Sequence, residues 1–277
     1  VKTLADAIPA IPGLVEVVIS GNKCFGAKVR LDPWGEPRAD HGSHEIDKDQ
    51  AGWNAFCENL NGSAIEKMGF ADIGLGPIGM KTLAQTIPTT PGLVGVDISR
   101  NQISADVAPT LIESIQKSNI KTLVIGKSAS LAVGGSDATS LDYSDQDLGP
   151  GEIMLISALV IPTTPGVVEV VISGNKCFGA IHHLTSGGDA YPDHGNHDTD
   201  KDQSGWTALC NSFKGTSLQK LGFADIGIGP IGMKTLAEAI PTIPGLVEVD
   251  ISRNQISADV APMLIESIQK SNIKTLV

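Results

Sequence analysis

Aromatic and basic residues are both scarce in this chain of 277 residues. Aromatic side chains make up 4%, and 20 Lys and Arg against 31 Asp and Glu leave a net charge of −11. Nucleic-acid binding and attachment to an anionic membrane surface both need clustered positive charge. The composition therefore argues against nucleic acid and membrane surfaces as partners. No apolar run approaches the roughly 20 residues of a membrane-spanning helix, so we expect no membrane insertion.

The most prominent feature that is present is a duplication. Residues 15–124 align without gaps onto residues 168–277, and about 79 of the roughly 110 aligned positions are identical. The differences concentrate in residues 28–39 and their counterparts 181–192. The chain is therefore built from large tandem repeats in which one short segment varies.

A shorter period lies inside each large repeat. Each short segment reads apolar-x-x-apolar-x-apolar, which predicts a short strand, and a polar turn and a stretch with helical apolar spacing follow it. The stretch GMKTLAQTIPTTPG (79–92) is an example, with Pro-Gly ending the helix. These strand segments start at Leu14, Ile65, Leu93, Ile120, Val167, Leu218, Leu246 and Ile273.

The segment LVEVDISRNQISADVAPMLIESIQKSN (246–272) resembles the leucine-rich repeat family, in its ribonuclease-inhibitor-like class. Asn254 takes the position of the family's asparagine, whereas the preceding repeat has Ile226 there, which interrupts the asparagine ladder. The resemblance implies an α/β solenoid with a parallel β-sheet on the concave face and helices on the convex face. Long loop insertions are expected on one edge, one after the first strand and one at residues 126–152.

The resemblance covers the whole chain, and we expect residues 1–277 to form a single solenoid. Its large repeats would span about 14–166 and 167–277, the second incomplete, with residues 1–13 ending a preceding repeat. Solenoids need capping repeats with a polar outer face, and neither end of the sequence shows one. A longer array or an end-to-end filament is therefore expected.

A motif rich in His and Asp recurs in the first insertion, as DHGSHEIDKDQAGW (40–53) and DHGNHDTDKDQSGW (193–206). Alternating carboxylates can converge on Ca²⁺, His-x-x-His can serve zinc, and charge runs are also commonly solvated. All three interpretations remain open. The candidate Ca²⁺ ligands are Asp40, Glu45, Asp47, Asp49, Asp193, Asp198, Asp200 and Asp202, and the candidate metal histidines are His41, His44, His194 and His197.

The four cysteines recur with the large repeat. The equal spacing predicts disulfides Cys24–Cys57 and Cys177–Cys210 at the bases of the two insertions, with buried thiols as the alternative. Asn61-Gly-Ser is a glycosylation sequon. Paired cysteines and a sequon together predict an extracellular or cell-surface location.

No nucleophile with an oxyanion partner, phosphate-binding loop or HExxH motif occurs, so we expect no enzyme and no cofactor besides Ca²⁺. The outward strand residues are mostly small, which fits packing against another solenoid. The first hypothesis is thus a structural or adhesive extracellular protein that associates with copies of itself. The alternative is a receptor-like or scaffold module that recognises a protein or glycan through its loop edge, with Trp34, Arg38 and Tyr191 as contacts.

Overall fold

The computed structural model describes residues 2–22, 24–25, 47, 49–101, 103–179 and 199–277. Contacts group the chain into two compact units, Val1–Ala132 (unit 1) and Val133–Val277 (unit 2). Each unit has its own five-stranded sheet among the described residues. The division falls inside residues 126–152, the segment expected to be the second insertion.

Unit 1 repeats a strand, a loop and a helix. Its parallel strands follow chain order, and one antiparallel strand closes the series. The elements are α1 (Lys2–Ala7), β1 (Glu16–Val18), α2 (Ala51–Leu60), β2 (Lys67–Gly69), α3 (Pro77–Thr86), β3 (Gly95–Asp97), α4 (Ala108–Gln116), β4 (Thr122–Ile125) and β5 (Ala129–Ala132).

Unit 2 follows the same plan, and all of its described strands are parallel. A π-helical turn, Ile156–Val160, extends its first helix. The elements are β6 (Ser140–Asp142), α5 (Pro150–Leu155), β7 (Glu169–Val171), α6 (Ser204–Ser212), β8 (Lys220–Gly222), α7 (Pro230–Ala239), β9 (Glu248–Asp250), α8 (Ala261–Gln269) and β10 (Thr275–Leu276).

The parallel strands stack in register, so apolar residues meet apolar residues. Val17 lies opposite Met68, Met68 opposite Val96, and Val96 opposite Leu123, and all four are buried. The residues on either side of them in each strand face away from this core, as period-2 alternation requires. The predicted α/β class with parallel sheets is confirmed.

Asparagine side chains join successive repeats. Asn101 Oδ1 accepts hydrogen bonds from Ile73 N (3.2 Å) and Leu75 N (3.0 Å), and Nδ2 donates to Phe70 O (2.7 Å). Asn254 makes the equivalent bonds in unit 2. Buried loop amides and carbonyls of one repeat are thus satisfied by the next, which fixes the spacing of the repeats.

Residues 126–152, expected to be a loop insertion, instead contain regular structure. β5 pairs antiparallel with β4, opposing Thr122 to Ala132, and β6 pairs parallel with β7. Leu141 and Tyr143 are buried, and α5 begins at Pro150. The prediction of a loop insertion is therefore wrong here. This segment holds a hairpin strand and the start of a further strand–helix repeat.

Aromatic side chains fill the core next to the first insertion. The Trp53 ring lies 5.1 Å from Phe70 and 5.6 Å from Phe25, and the Trp53 indole N–H donates to Gly79 O at 2.9 Å. Trp206 repeats this bond to Gly232 O at 2.8 Å in unit 2. Among the described helices, none combines the length and apolar character needed to cross a membrane.

Candidate functional site

A groove lies on the exposed face of the unit 1 sheet, with a cavity volume of about 620 Å³. This face, called the open face below, carries the strand residues that alternate with the buried ones. The strands bring them together because they stack in register. The lining residues are Glu16, Val18, Ser20, Lys67, Met68, Gly69, Val94, Gly95, Val96, Asp97, Lys121, Thr122 and Val124.

The open face combines apolar area with separated charges. Val18 is 60% exposed, an unusual state for a strand valine. Glu16 and Lys67 share one row across the sheet, where Lys67 lies opposite Gly95. Asp97 lies in the neighbouring row and accepts a bond from Ser99 N at 2.9 Å. An apolar strip bordered by single charges of both signs is suited to a mixed apolar and polar ligand.

Two glycines shape this groove for different reasons. A Cβ on Gly69 would lie 2.9 Å from Val18 Cγ1, so a side chain there would displace Val18. A Cβ on Gly95 would lie 3.5 Å from Lys67 Cγ, an ordinary contact, and its φ is not positive. Packing therefore does not require Gly95, whose missing side chain leaves open space beside Lys67.

Unit 2 shows the same face with one outward difference. Val171, Lys220, Gly222 and Asp250 repeat the unit 1 residues, but Glu248 replaces Gly95. Lys220 Nζ lies 3.3 Å from the Glu248 carboxylate. The sequence interpretation of this face as a bland, small-residue strip missed the groove, although the Gly95 and Glu248 difference was a readable signal.

Of the candidate metal ligands, Asp47 is described, and its carboxylate meets the start of α3. Asp47 Oδ1 accepts hydrogen bonds from Gly76 N (3.1 Å) and Gly79 N (3.0 Å), and Oδ2 accepts one from Ile78 N (2.6 Å). These are amides that a helix start leaves without intrahelical partners. Asp47 thus caps the helix of the next repeat, where a negative charge is also favoured by the helix dipole.

Asp200 repeats this arrangement at α7. Its oxygens accept from Gly229 N (3.1 Å), Ile231 N (2.6 Å) and Gly232 N (2.9 Å). Both aspartates have positive φ, 59° for Asp47 and 63° for Asp200. Because both units show the same bonds, these two carboxylates have a structural role in joining a loop to the next helix. The spacing of the aspartates along the sequence did not reveal this role.

Asp49 and Asp202 serve the starts of their own helices. Asp49 Oδ1 accepts from Ala51 N at 3.0 Å, and Asp202 Oδ1 accepts from Ser204 N at 2.9 Å. Within the described part of the chain, no three His, Cys, Asp or Glu side chains converge to hold a metal. The other predicted ligands lie outside the described residues: Asp40, His41, His44, Glu45, Asp193, His194, His197 and Asp198.

All four cysteines lie within the described residues, and each is a free thiol. The predicted disulfides Cys24–Cys57 and Cys177–Cys210 are therefore absent from this structure. Cys57 lies on the buried side of α2, and burial raises its pKa to about 12. Its thiol is hydrogen-bonded to the Thr86 side chain of the next helix. Burial also raises the pKa of Cys177 and Cys210. Packing into the core, the alternative interpretation, describes Cys57, Cys177 and Cys210.

The sequon residue Asn61 is exposed at the end of α2 and accepts a hydrogen bond from the Thr89 hydroxyl. Its side chain is accessible at the surface of unit 1. Trp34, Arg38 and Tyr191, the predicted loop-edge contacts, lie outside the described residues. Contact by that edge therefore stays a prediction.

Comparison with known proteins finds no matching family model and no matching curated protein. Among solved structures, internalin C2 of Listeria monocytogenes str. 4b F2365 aligns at 15% identity with a TM-score of 0.29, over 83% of this chain and 84% of that one. TLR13 in its complex with ssRNA13 aligns at 12% identity with a TM-score of 0.31, over 80% of this chain. The alignment spans 32% of the TLR13 chain. Scores of this size do not establish a shared fold, so the repeat architecture rests on the strand register and asparagine bonds described above.

Proposed function

We propose that this chain is a non-enzymatic binding module that holds a partner on the open face of unit 1. The observation that carries the proposal is the groove of about 620 Å³ on that face, with Val18 exposed inside it. A concave apolar surface with a few fixed polar groups is the usual form of a binding site. The short strands that hold it are in register across the sheet, and the groove is present without a ligand.

The groove can be blocked by a change that the chain itself tolerates. Gly95→Glu reproduces the residue that unit 2 carries at the equivalent position, Glu248, and a Cβ at position 95 makes only an ordinary contact, 3.5 Å from Lys67 Cγ. The variant should therefore keep its fold, which near-ultraviolet circular dichroism would check. The reciprocal change, Glu248→Gly, serves as the matched variant in unit 2.

The test is selection of phage-displayed random dodecapeptides on the intact chain. We expect enriched peptides to bind the original chain and to lose at least tenfold in affinity on Gly95→Glu. Enriched peptides that bind both chains equally would place recognition elsewhere, for instance on the loop edge. Failure to enrich any peptide would also count against the proposal.

Self-association with copies of the same chain is a second candidate, favoured by the duplication of the large repeat. Residues 15–124 recur at residues 168–277, and repeats of this kind are stabilised by stacking on one another, so further copies would extend the stack as an array. Sedimentation velocity over a hundredfold concentration range would detect such an array, whereas a constant monomer would contradict it.

An extracellular location and glycosylation complete the proposal, and the exposed Asn61 supports them. The cysteines give this location no support, since they are free thiols. Secretion from a eukaryotic host should yield a glycan mass that Asn61→Gln removes.

Ca²⁺ binding by the first insertion is proposed on sequence alone, and calorimetric titration with CaCl₂ and ZnCl₂ would test it.

A further inference from the structure

The two copies of the open face differ at a single outward strand position, and that difference indicates what unit 1 binds. Eight outward positions correspond between the sheets, and the residues are the same at seven: Glu16/Glu169, Val18/Val171, Lys67/Lys220, Gly69/Gly222, Asp97/Asp250, Thr122/Thr275 and Val124/Val277. The eighth pair is Gly95 and Glu248. Unit 2 therefore serves as an internal comparison for the groove of unit 1.

In unit 2 the Glu248 side chain occupies the position that corresponds to the open space at Gly95. The Glu248 carboxylate lies 3.3 Å from Lys220 Nζ and neutralises it. Glu169, the next acid in that row, accepts a hydrogen bond from the Ser140 hydroxyl at 2.8 Å. Both carboxylates of this row are thus engaged by neighbouring strands.

In unit 1 the same lysine lacks this partner. Lys67 has no ion-pair partner among the described residues, although Glu16 lies beside it in the row. Asp97, the other acid of the groove, is held by Ser99 N at 2.9 Å, just as Asp250 is held by Ser252 N. The open space at Gly95 therefore lies next to an ammonium group that forms no ion pair with a described residue.

We propose that this space takes an acidic side chain of an extended peptide segment, whose carboxylate binds Lys67 where Glu248 binds Lys220. The inference rests on the proposed function, since it names the ligand of the same groove. Flanking apolar side chains of the peptide would cover the exposed Val18 at one end of its row and Val124 at the other end. A groove across four strands is roughly 15 Å wide, which matches about five extended residues.

The negative charge of the peptide should affect the choice between acidic and neutral peptides more than it affects the total binding affinity. A partly exposed ion pair contributes modestly, so we expect about a two- to fivefold preference for a peptide carboxylate over its amide. The apolar contacts supply the remaining affinity without distinguishing the two. Electrostatic repulsion from the net charge of −11 is reduced at physiological ionic strength, where the test should be run.

The experiment uses three pools of capped hexapeptides whose third residue is fixed as Glu, Gln or Lys, with the other positions randomised. Binding to the intact chain is measured by fluorescence anisotropy, and ¹⁵N amide shifts of Gly69 and Gly95 locate the peptide. We expect the Glu pool to bind best. Lys67→Met should remove its advantage over the Gln pool while weak binding persists.

Two further variants make the outcome decisive. Gly95→Glu should abolish binding of the Glu pool in the groove, and Glu248→Gly should raise the number of peptides bound per chain from one to two. If the Gln or Lys pool binds as well as the Glu pool and Gly95→Glu blocks it, the acidic ligand is wrong but the binding groove stands. If no pool shows binding that Gly95→Glu removes, both the ligand and the proposed function are wrong.

Discussion

At the scale of single residues, Asp200 links two repeats through three backbone bonds to the start of α7. Replacing a capping aspartate by alanine costs about 1–2 kcal/mol of the free energy of unfolding. We expect Asp200→Ala to lose this amount in urea denaturation. Asp259→Ala removes the same charge from an exposed site and should stay within about 0.5 kcal/mol. Equal effects of the two changes would argue that charge, not capping, matters.

The asparagines allow a graded comparison. Asn101 satisfies Ile73 N, Leu75 N and Phe70 O of the preceding repeat. Among the described residues, Asn22 donates only within its own turn, to Ile19 O at 2.9 Å and Ser20 O at 3.4 Å. Groups left unsatisfied cost about 1–3 kcal/mol each when buried. Asn101→Ala should therefore lower the urea midpoint markedly, and Asn22→Ala much less. The reverse order would contradict the bridging role.

The thiol of Cys57 predicts a pH dependence. Burial raises its pKa to about 12, while in the unfolded chain it ionises near its ordinary value of 9. Unfolding therefore releases a proton in this window, and the stability present below pH 9 declines as pH rises toward 12. In Cys57→Ala, the free energy of unfolding should fall less steeply between pH 9 and 10.5. Cys24→Ala, at a half-exposed site, is the control and should change the slope less.

At the scale of elements, the sequence predicts the strands well because each buries alternating apolar residues. The segments beginning at Leu93 and Leu246 form β3 and β9, two residues after the pattern starts. β6 (Ser140–Asp142) escaped prediction because its segment has no counterpart in the duplication. The capping bonds of Asp47 escaped prediction because their partner amides lie 29 to 32 positions along the chain.

The hairpin strand β5 covers the outer edge of β4. Leu131 is fully buried and lies opposite Leu123, whereas Ala132 in the same strand is exposed. Removing a buried leucine side chain costs about 2–5 kcal/mol and should loosen β5. We expect Leu131→Ala to expose the β4 edge and to associate at lower concentration than the original chain in sedimentation velocity. Ala132→Ser should remain as dispersed as the original chain, and association by both variants would rule out edge protection.

At the scale of the whole molecule, the separate sheets of the two units predict separate responses to local damage. Trp53 and Trp206 are fully buried at equivalent places, one in each unit, and so report on each unit individually. With 5-fluorotryptophan incorporated, their ¹⁹F signals can be followed through a urea titration. Asn254→Ala breaks bonds only within unit 2, so it should lower the midpoint at Trp206 and leave the midpoint at Trp53 in place. Asn101→Ala should do the opposite, because its bonds lie within unit 1. If either change moved both signals together, the chain would unfold as one cooperative structure, as the single solenoid over residues 1–277 predicts.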